Sequence, residues 1–145
     1  VVTYCIRNDI GTLIVGYNTT FQRSSDLGRQ MNQVFVGISF GILRRKLKYL
    51  CEMNGIRYVE QEESYTSMAS FWDLDEMPVY GEAGLVPPVF SGRRICRGLY
   101  QDRSGRRINA DVNGALNIMR KCNIVSLRAL YDRGDVDTLV RIRIA

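Results

Sequence analysis

The run Thr12-Leu13-Ile14-Val15-Gly16-Tyr17 is apolar and rich in β-branched residues, with no polar alternation. That pattern predicts a central strand covered on both faces in a mostly parallel sheet. Further on, Phe40, Leu43, Leu47 and Leu50 recur at helical spacing, while Arg44, Arg45, Lys46 and Lys48 fill much of the remainder. An amphipathic helix over residues 40–53 follows. Asn54-Gly55 supplies a left-handed C-cap, and Ile56-Arg57-Tyr58-Val59-Glu60-Gln61-Glu62 reads as a second strand. Strand, helix and strand make a βαβ unit, and hence an α/β fold. Such a unit takes a right-handed crossover and presents functional groups at the carboxyl ends of its strands, here Tyr17-Asn18 and Glu62-Glu63.

Upstream, residues 1–7 read as the end of a helix, and Asn8-Asp9-Ile10-Gly11 as a turn with Gly11 available for positive φ. Residues 18–35 are polar without periodicity, a surface segment. Downstream, residues 64–107 hold Pro78, Pro87, Pro88 and several glycines with no sustained period, which predicts a loop-rich insertion with a small core. Helical spacing resumes through Val112, Ala115, Leu116 and Met119, with Asn109 as N-cap and Asp111 in the first turn. The tail is weakly organised, with a short strand expected over residues 138–144.

At 145 residues with 46% hydrophobic content, the chain can bury the core of one ordinary domain. A net charge of +5 suits a polyanionic partner without requiring one. Histidine is absent, which excludes His-based acid–base catalysis and His metal ligands, so any hydrolysis must work through carboxylates and metal. Cys5, Cys51, Cys96 and Cys122 form no CxxC pair, signalling neither a zinc site nor a disulfide framework and fitting a reducing, cytoplasmic setting. No apolar run approaches the roughly 18 residues of a membrane span, and no signal-peptide layout is present. A soluble protein is expected.

Two constellations could carry chemistry. Glu60, Glu62 and Glu63 close a strand while Asp111 opens a helix. Carboxylates converging from separate elements are what Mg²⁺-assisted phosphodiester cleavage needs. From composition and spacing alone, however, the simpler reading is solvated strand-end charges and an Asp complementing the helix dipole. The second constellation is Arg93, Arg94, Arg97, Arg103, Arg106 and Arg107, countered in that window only by Asp102. Guanidinium forks match phosphate geometry, and the interleaved Phe90 and Tyr100 would suit base stacking. A solvated basic loop accounts for the same residues equally well. Cys96, without a His or second Cys nearby, reads as an incidental cysteine.

At Glu62-Glu63-Ser64-Tyr65-Thr66-Ser67, and again at Asn109-Ala110-Asp111-Val112-Asn113-Gly114-Ala115-Leu116-Asn117-Ile118, the chain resembles the TnpB (OrfB) transposon-encoded nucleases. Residues 11–18, residues 41–48 and Phe90-Ser91-Gly92-Arg93-Arg94 resemble one subgroup of them. The resemblance implies an RNase-H-like (RuvC) core, related to type V CRISPR effectors, that cuts DNA under RNA guidance with Mg²⁺ (or Mn²⁺). It makes Asp111, in an Asp-x-Asn motif with Asn113, the last catalytic aspartate. The middle glutamate's usual position holds Gly16 or Tyr17 here. By the pattern of branches that place it just before Tyr-Thr-Ser, Glu63 is the first choice, Glu62 the second and Glu60 the third. Where the family carries the first cysteine pair of a zinc ribbon, this chain has Ser70, Phe71 and Asp73, and Cys96 stands alone, so no zinc is expected.

The first catalytic aspartate and the guide-binding regions would lie on segments that this chain does not contain. The expectation is therefore a C-terminal fragment, a poor nuclease by itself. It would comprise a partial RuvC-like core lacking its first strands (1–63), a degenerate zinc-ribbon-like, target-nucleic-acid-binding insertion (64–107), the final core helix (108–122) and a tail (123–145). Glu63 and Asp111 would ligate the metal. Arg93, Arg94, Arg97, Tyr100, Arg103, Arg106 and Arg107 would hold nucleic acid, with DNA and guide RNA as partners. The alternative is a truncated, inactive derivative that only binds nucleic acid.

Overall fold

A computed structural model describes residues 1–18, 40–79 and 88–133. The chain divides into two compact units, Val1–Glu62 and Glu63–Ala145. In the first, helix α1 (Val2–Arg7) leads into strand β1 (Thr12–Tyr17), and helix α2 (Phe40–Met53) into strand β2 (Arg57–Glu62). The strands are parallel, in a register running from Thr12 opposite Arg57 to Tyr17 opposite Glu62. The expected βαβ unit is present, and the mixed α/β class with it.

Both helices end by the same device. After α2, Gly55 takes φ +68°, its N–H bonds the Glu52 carbonyl at 3.3 Å, and the Ile56 N–H reaches back to Cys51 O at 2.9 Å. After α1, Asp9 takes φ +52°, with Asp9 N–H on Ile6 O at 3.3 Å and Ile10 N–H on Cys5 O at 2.9 Å. Each is a Schellman closure, which satisfies orphan carbonyls and turns the chain sharply into a strand. Asn8 and Asn54 each add a side-chain bond, to Tyr4 O at 2.9 Å and Leu50 O at 2.7 Å. The left-handed residue of the first turn is thus Asp9 and not Gly11. An aspartate tolerates that conformation because its short polar side chain bonds locally.

Val2, Cys5, Cys51 and Ile56 form the buried core of this unit, with Leu13, Leu47 and Tyr58 packed against it. Leu13 and Tyr58 are register partners, so they share the sheet face that meets the helices. Strand β1 is half-buried along its whole length and pairs only with β2 among the described residues. The continuous burial that its composition predicts is not reached. The surface segment expected over 18–35 lies, beyond Asn18, outside the described residues.

The second unit departs further from expectation. Where a loop-rich insertion is predicted, strands β3 (Arg93–Cys96), β4 (Leu99–Gln101) and β5 (Arg107–Asn109) form an antiparallel sheet in sequence order. Gly98 (φ +80°) and Gly105 (φ +90°) serve the two reversals, a conformation that costs glycine little. Helix α3 (Ala110–Cys122) follows directly, and α4 (Arg128–Arg133) after it was not expected. The strand proposed over residues 138–144 lies outside the described residues. Phe71, Tyr100, Ile108, Ala110, Leu116 and Leu127 make the core, and Phe71 stacks on Tyr131 with ring centroids 4.7 Å apart.

Asn109 caps α3 as expected, its Oδ1 accepting from the N–H groups of Asp111 (2.9 Å) and Val112 (3.2 Å). The helix then binds the irregular stretch before the sheet. Asn113, fully buried, accepts from Phe71 N–H (3.1 Å) and donates to Ala69 O (2.9 Å). One turn on, Asn117 donates to Thr66 O (2.9 Å) and Ala69 O (2.8 Å), and Lys121 Nζ donates to Ser64 O (3.2 Å). The segment therefore runs antiparallel to α3, its polar backbone satisfied by side chains instead of a ladder. Replacing Asn113 with alanine strands the buried Phe71 N–H and opens a cavity. The Asn113→Ala variant is expected to lose about 3 kcal/mol of stability, measured as the shift in urea unfolding relative to an exposed control such as Ala115→Ser.

Candidate nucleic-acid interface

The arginines of residues 93–107 are displayed by the antiparallel sheet. Arg93 pairs with Gln101, and Gln101 pairs with Arg107. Directly paired residues project from the same face, so Arg93, Gln101 and Arg107 form one row. The next row, Arg94, Tyr100 and Ile108, lies on the opposite face, and there Tyr100 and Ile108 belong to the core. Arg93 and Arg107 are exposed, as are Arg94 on edge strand β3 and Arg97 in the β3–β4 turn.

Tyr100 has to be withdrawn from the interface. It is 1% exposed and its hydroxyl donates to Met68 O at 2.8 Å. Burial, helped by the charges of Asp75, Asp73 and Asp102, pushes its phenol up to about 12. It serves as a core anchor and has no face for a base. Arg106 is exposed, with its guanidinium 4.6 Å from the Trp72 ring centroid. Stacking of this kind leaves the in-plane N–H groups usable.

Beside the row, a groove of about 460 Å³ is lined by Phe90, Ser91, Arg93, Gln101, Asp102 and Arg103, with Gly92 and Gly105 in its wall. The Arg103 guanidinium donates to Ser91 Oγ at 3.1 Å, and its backbone N–H donates to Asp73 Oδ2 at 3.0 Å. Gly92 is required here: a Cβ would lie 2.6 Å from Gln101 O and from the Tyr100 ring and hydroxyl. Asp75 ties the groove's rim to the irregular segment, one carboxylate oxygen accepting from Ser70 N–H (2.8 Å) and Ser91 N–H (2.9 Å). Sequence reasoning passed over Gln101 and Asp75 and met Ser91 only within the Phe90–Arg94 resemblance, because nothing local marks their roles.

The carboxylates are distributed differently. Glu60 is engaged: Arg44 bonds one oxygen at 3.0 Å and Tyr58 OH donates to the other at 3.0 Å. Burial and that bond raise the Tyr58 phenol to about 12. Glu62 ends β2, opposite Tyr17. Glu63 opens the second unit, its carbonyl accepting from Thr66 N–H (3.2 Å) and Thr66 Oγ1 (2.9 Å). Asp111 is exposed in the first turn of α3. Because the 64–71 segment runs antiparallel to α3, Glu63 enters it at the Lys121 end while Asp111 sits at the other. A helix rises about 1.5 Å per residue, so roughly 15 Å of axis separates Asp111 from Lys121. These hydrogen bonds do not draw Glu63 to Asp111. Among the described residues no group of three or more His, Cys, Asp or Glu is placed to hold a metal. Cys96 is exposed, Cys122 half-buried, and both are free thiols.

Asp75 gives this rim a pH dependence. Burial raises its carboxyl, but the Ser91 hydroxyl, the Ser70 and Ser91 N–H groups and Arg120 outweigh that and leave it below its ordinary value of 3.8. A depressed carboxyl stabilises the fold above its ordinary value, and the contribution fades as pH falls through the folded-state value. Denaturant midpoints followed from about pH 6 to about pH 2 should decline below about pH 4. Asp75→Asn should lower the neutral-pH midpoint and make that acid decline shallower; an unchanged acid limb would remove Asp75 as its source.

No helix of the described residues is long and apolar enough to cross a membrane. No curated protein matches the chain. Residues 40–118, more than half of the 145, match the family model of the Cas12f1-like TNB domain. The chain belongs to the Cas12f1-like TNB domain family, and so to the proteins related to TnpB and Cas12 nucleases.

Proposed function

We propose that this chain is part of a TnpB-like, RNA-guided, Mg²⁺-dependent DNA endonuclease, the parallel β1-α2-β2 unit contributing to its RuvC-like core and the antiparallel sheet binding nucleic acid. The observation that carries the binding half is the row of Arg93, Gln101 and Arg107 on the sheet face opposite the core. Exposed guanidiniums in register on a rigid sheet meet a phosphate backbone without reading its sequence. Arg94, Arg97, Arg103 and Arg106 extend the same basic window.

For the metal, Asp111 supplies a suitable hard oxygen ligand. Its carboxylate has no hydrogen-bond or ion-pair partner among the described residues, since Asn109 already caps the helix. One carboxylate does not build a two-ion site. On this reading Glu63 is the second carboxylate and the rest come from outside the described residues. A nucleic-acid-binding module without cleavage is the second reading, favoured by the placement of Glu63 and Asp111 toward opposite ends of α3.

The binding face, common to both readings, and the metal site, which separates them, have one measurement each. In salt titrations of duplex and single-stranded DNA binding, Arg93→Ala and Arg107→Ala should each weaken affinity across sequences and reduce the log–log salt slope by about 1. Unchanged slopes would remove the row from the interface. In amide NMR spectra, Mn²⁺ should broaden signals around Asp111, and Asp111→Asn should abolish the effect. If Glu63→Gln abolishes it too, the shared site stands; broadening indifferent to Glu63→Gln discards Glu63, and none at Asp111 favours the binding module.

A further inference from the structure

We infer that the groove between Phe90 and Arg103 is a subsite for one unpaired nucleotide, its base laid against Phe90 and its phosphate held by Arg93 and Arg103. The inference rests on the nucleic-acid-binding reading and narrows it to unpaired strands.

Size is the first argument. About 460 Å³ falls in the range of small-ligand sites, roughly 300–1,000 Å³, which accommodates one nucleotide, and a base laid face-on against Phe90 has to leave its own stack first. The second argument is the lining. With Tyr100 buried, Phe90 is the aromatic residue lining the groove, and its ring is braced by Tyr65, with centroids 5.7 Å apart and planes tilted 42°. A braced ring makes a stacking platform at low entropic cost, and stacking accepts any base.

Charge completes the case. Arg93 and Arg103 both line the groove, and the Arg103 fork is already oriented by its bond to Ser91 Oγ. That leaves guanidinium N–H groups for a phosphate without further ordering. The acid in the lining is turned inward: Asp102 is buried, and its Oδ1 accepts from Ser104 Oγ (2.8 Å) and Arg106 N–H (2.7 Å). One N–H of Gln101 Nε2 donates to Gly105 O at 3.0 Å, which orients the amide along the groove wall. Stacking accepts any base and the guanidiniums meet only phosphate, so the subsite should be sequence-tolerant.

The test is fluorescence anisotropy on the full chain at fixed salt with labelled oligo(dT), oligo(U), the same DNA strand in a duplex, and a strand of matching length with abasic sites. Stacking contributes about 1–3 kcal/mol per base, so oligo(dT) should bind roughly tenfold or more tightly than the abasic strand, and more tightly than the duplex. Phe90→Ala should bring oligo(dT) down to the abasic level without weakening the abasic strand, while Phe90→Trp retains the preference. Arg103→Ala should weaken every strand. The tighter of oligo(dT) and oligo(U) names the source of the nucleotide. Should Phe90→Ala fail to fold by circular dichroism, the abasic comparison on the unmodified chain decides alone. Equal binding of oligo(dT) and abasic strand overturns the subsite while leaving nucleic-acid binding intact; binding of no strand overturns both.

Discussion

The second unit depends on one side chain, Asn113, whose amide accepts from the backbone at Phe71 and donates to the backbone at Ala69. Residues 64–79 hold no helix or strand, yet Ser64, Thr66, Ala69 and Ser70 are buried. Buried backbone polar groups without partners are costly, so a ladder-less segment can be buried only if side chains satisfy it. Asn113, Asn117 and Lys121, spaced one turn apart on α3, meet that need. An asparagine suits the innermost place because it carries donor and acceptor together on a short, stiff arm.

From that clamp the rest of the unit follows. With Ala69 and Phe71 fixed, Phe71 lies against Tyr131 and Trp72, and Met68 O receives the Tyr100 hydroxyl, which positions β4. Asp75 then joins Ser70 to Ser91, and the close approach at Gly92 seats the start of β3 over Tyr100. The small apolar core, six buried residues among those described, is thus held in register by directional bonds. Hydrophobic burial is non-directional and would not by itself fix which face of a three-residue strand looks inward.

That distinction explains what could be read in advance. In the first unit the leucine stripe and the Asn54-Gly55 stop place α2 at Phe40–Met53, because periodicity and cap chemistry are local. The Asn109 cap was likewise readable. The antiparallel sheet was not: β4 and β5 each bury one residue, Tyr100 and Ile108, too few to establish a period of two. Tyr100 was assigned to the wrong side for the same reason, since a one-residue change of parity moves a side chain from solvent to core. Asn113 and Asn117 find their partners 42 to 51 residues away, and no local pattern announces a contact at that range. The carboxylates show the same limit, because shared ligation is a statement about distance and their spacing in sequence carries none.

Binding and cleavage have different structural requirements in this chain. A basic face needs a regular sheet and exposed guanidiniums, and the second unit holds both within Arg93–Asn109. A metal centre needs convergence. Asp111 sits exposed in the first turn of α3, a single carboxylate on its element. Mg²⁺ dehydrates reluctantly and stays largely water-bound on a single carboxylate. On the proposed reading, then, the sheet can engage a phosphate backbone through residues it already holds, whereas cleavage waits on carboxylates brought to Asp111 from elsewhere. Loss of those partners would abolish hydrolysis and leave the binding face untouched, since no residue of the arginine row takes part in holding Asp111.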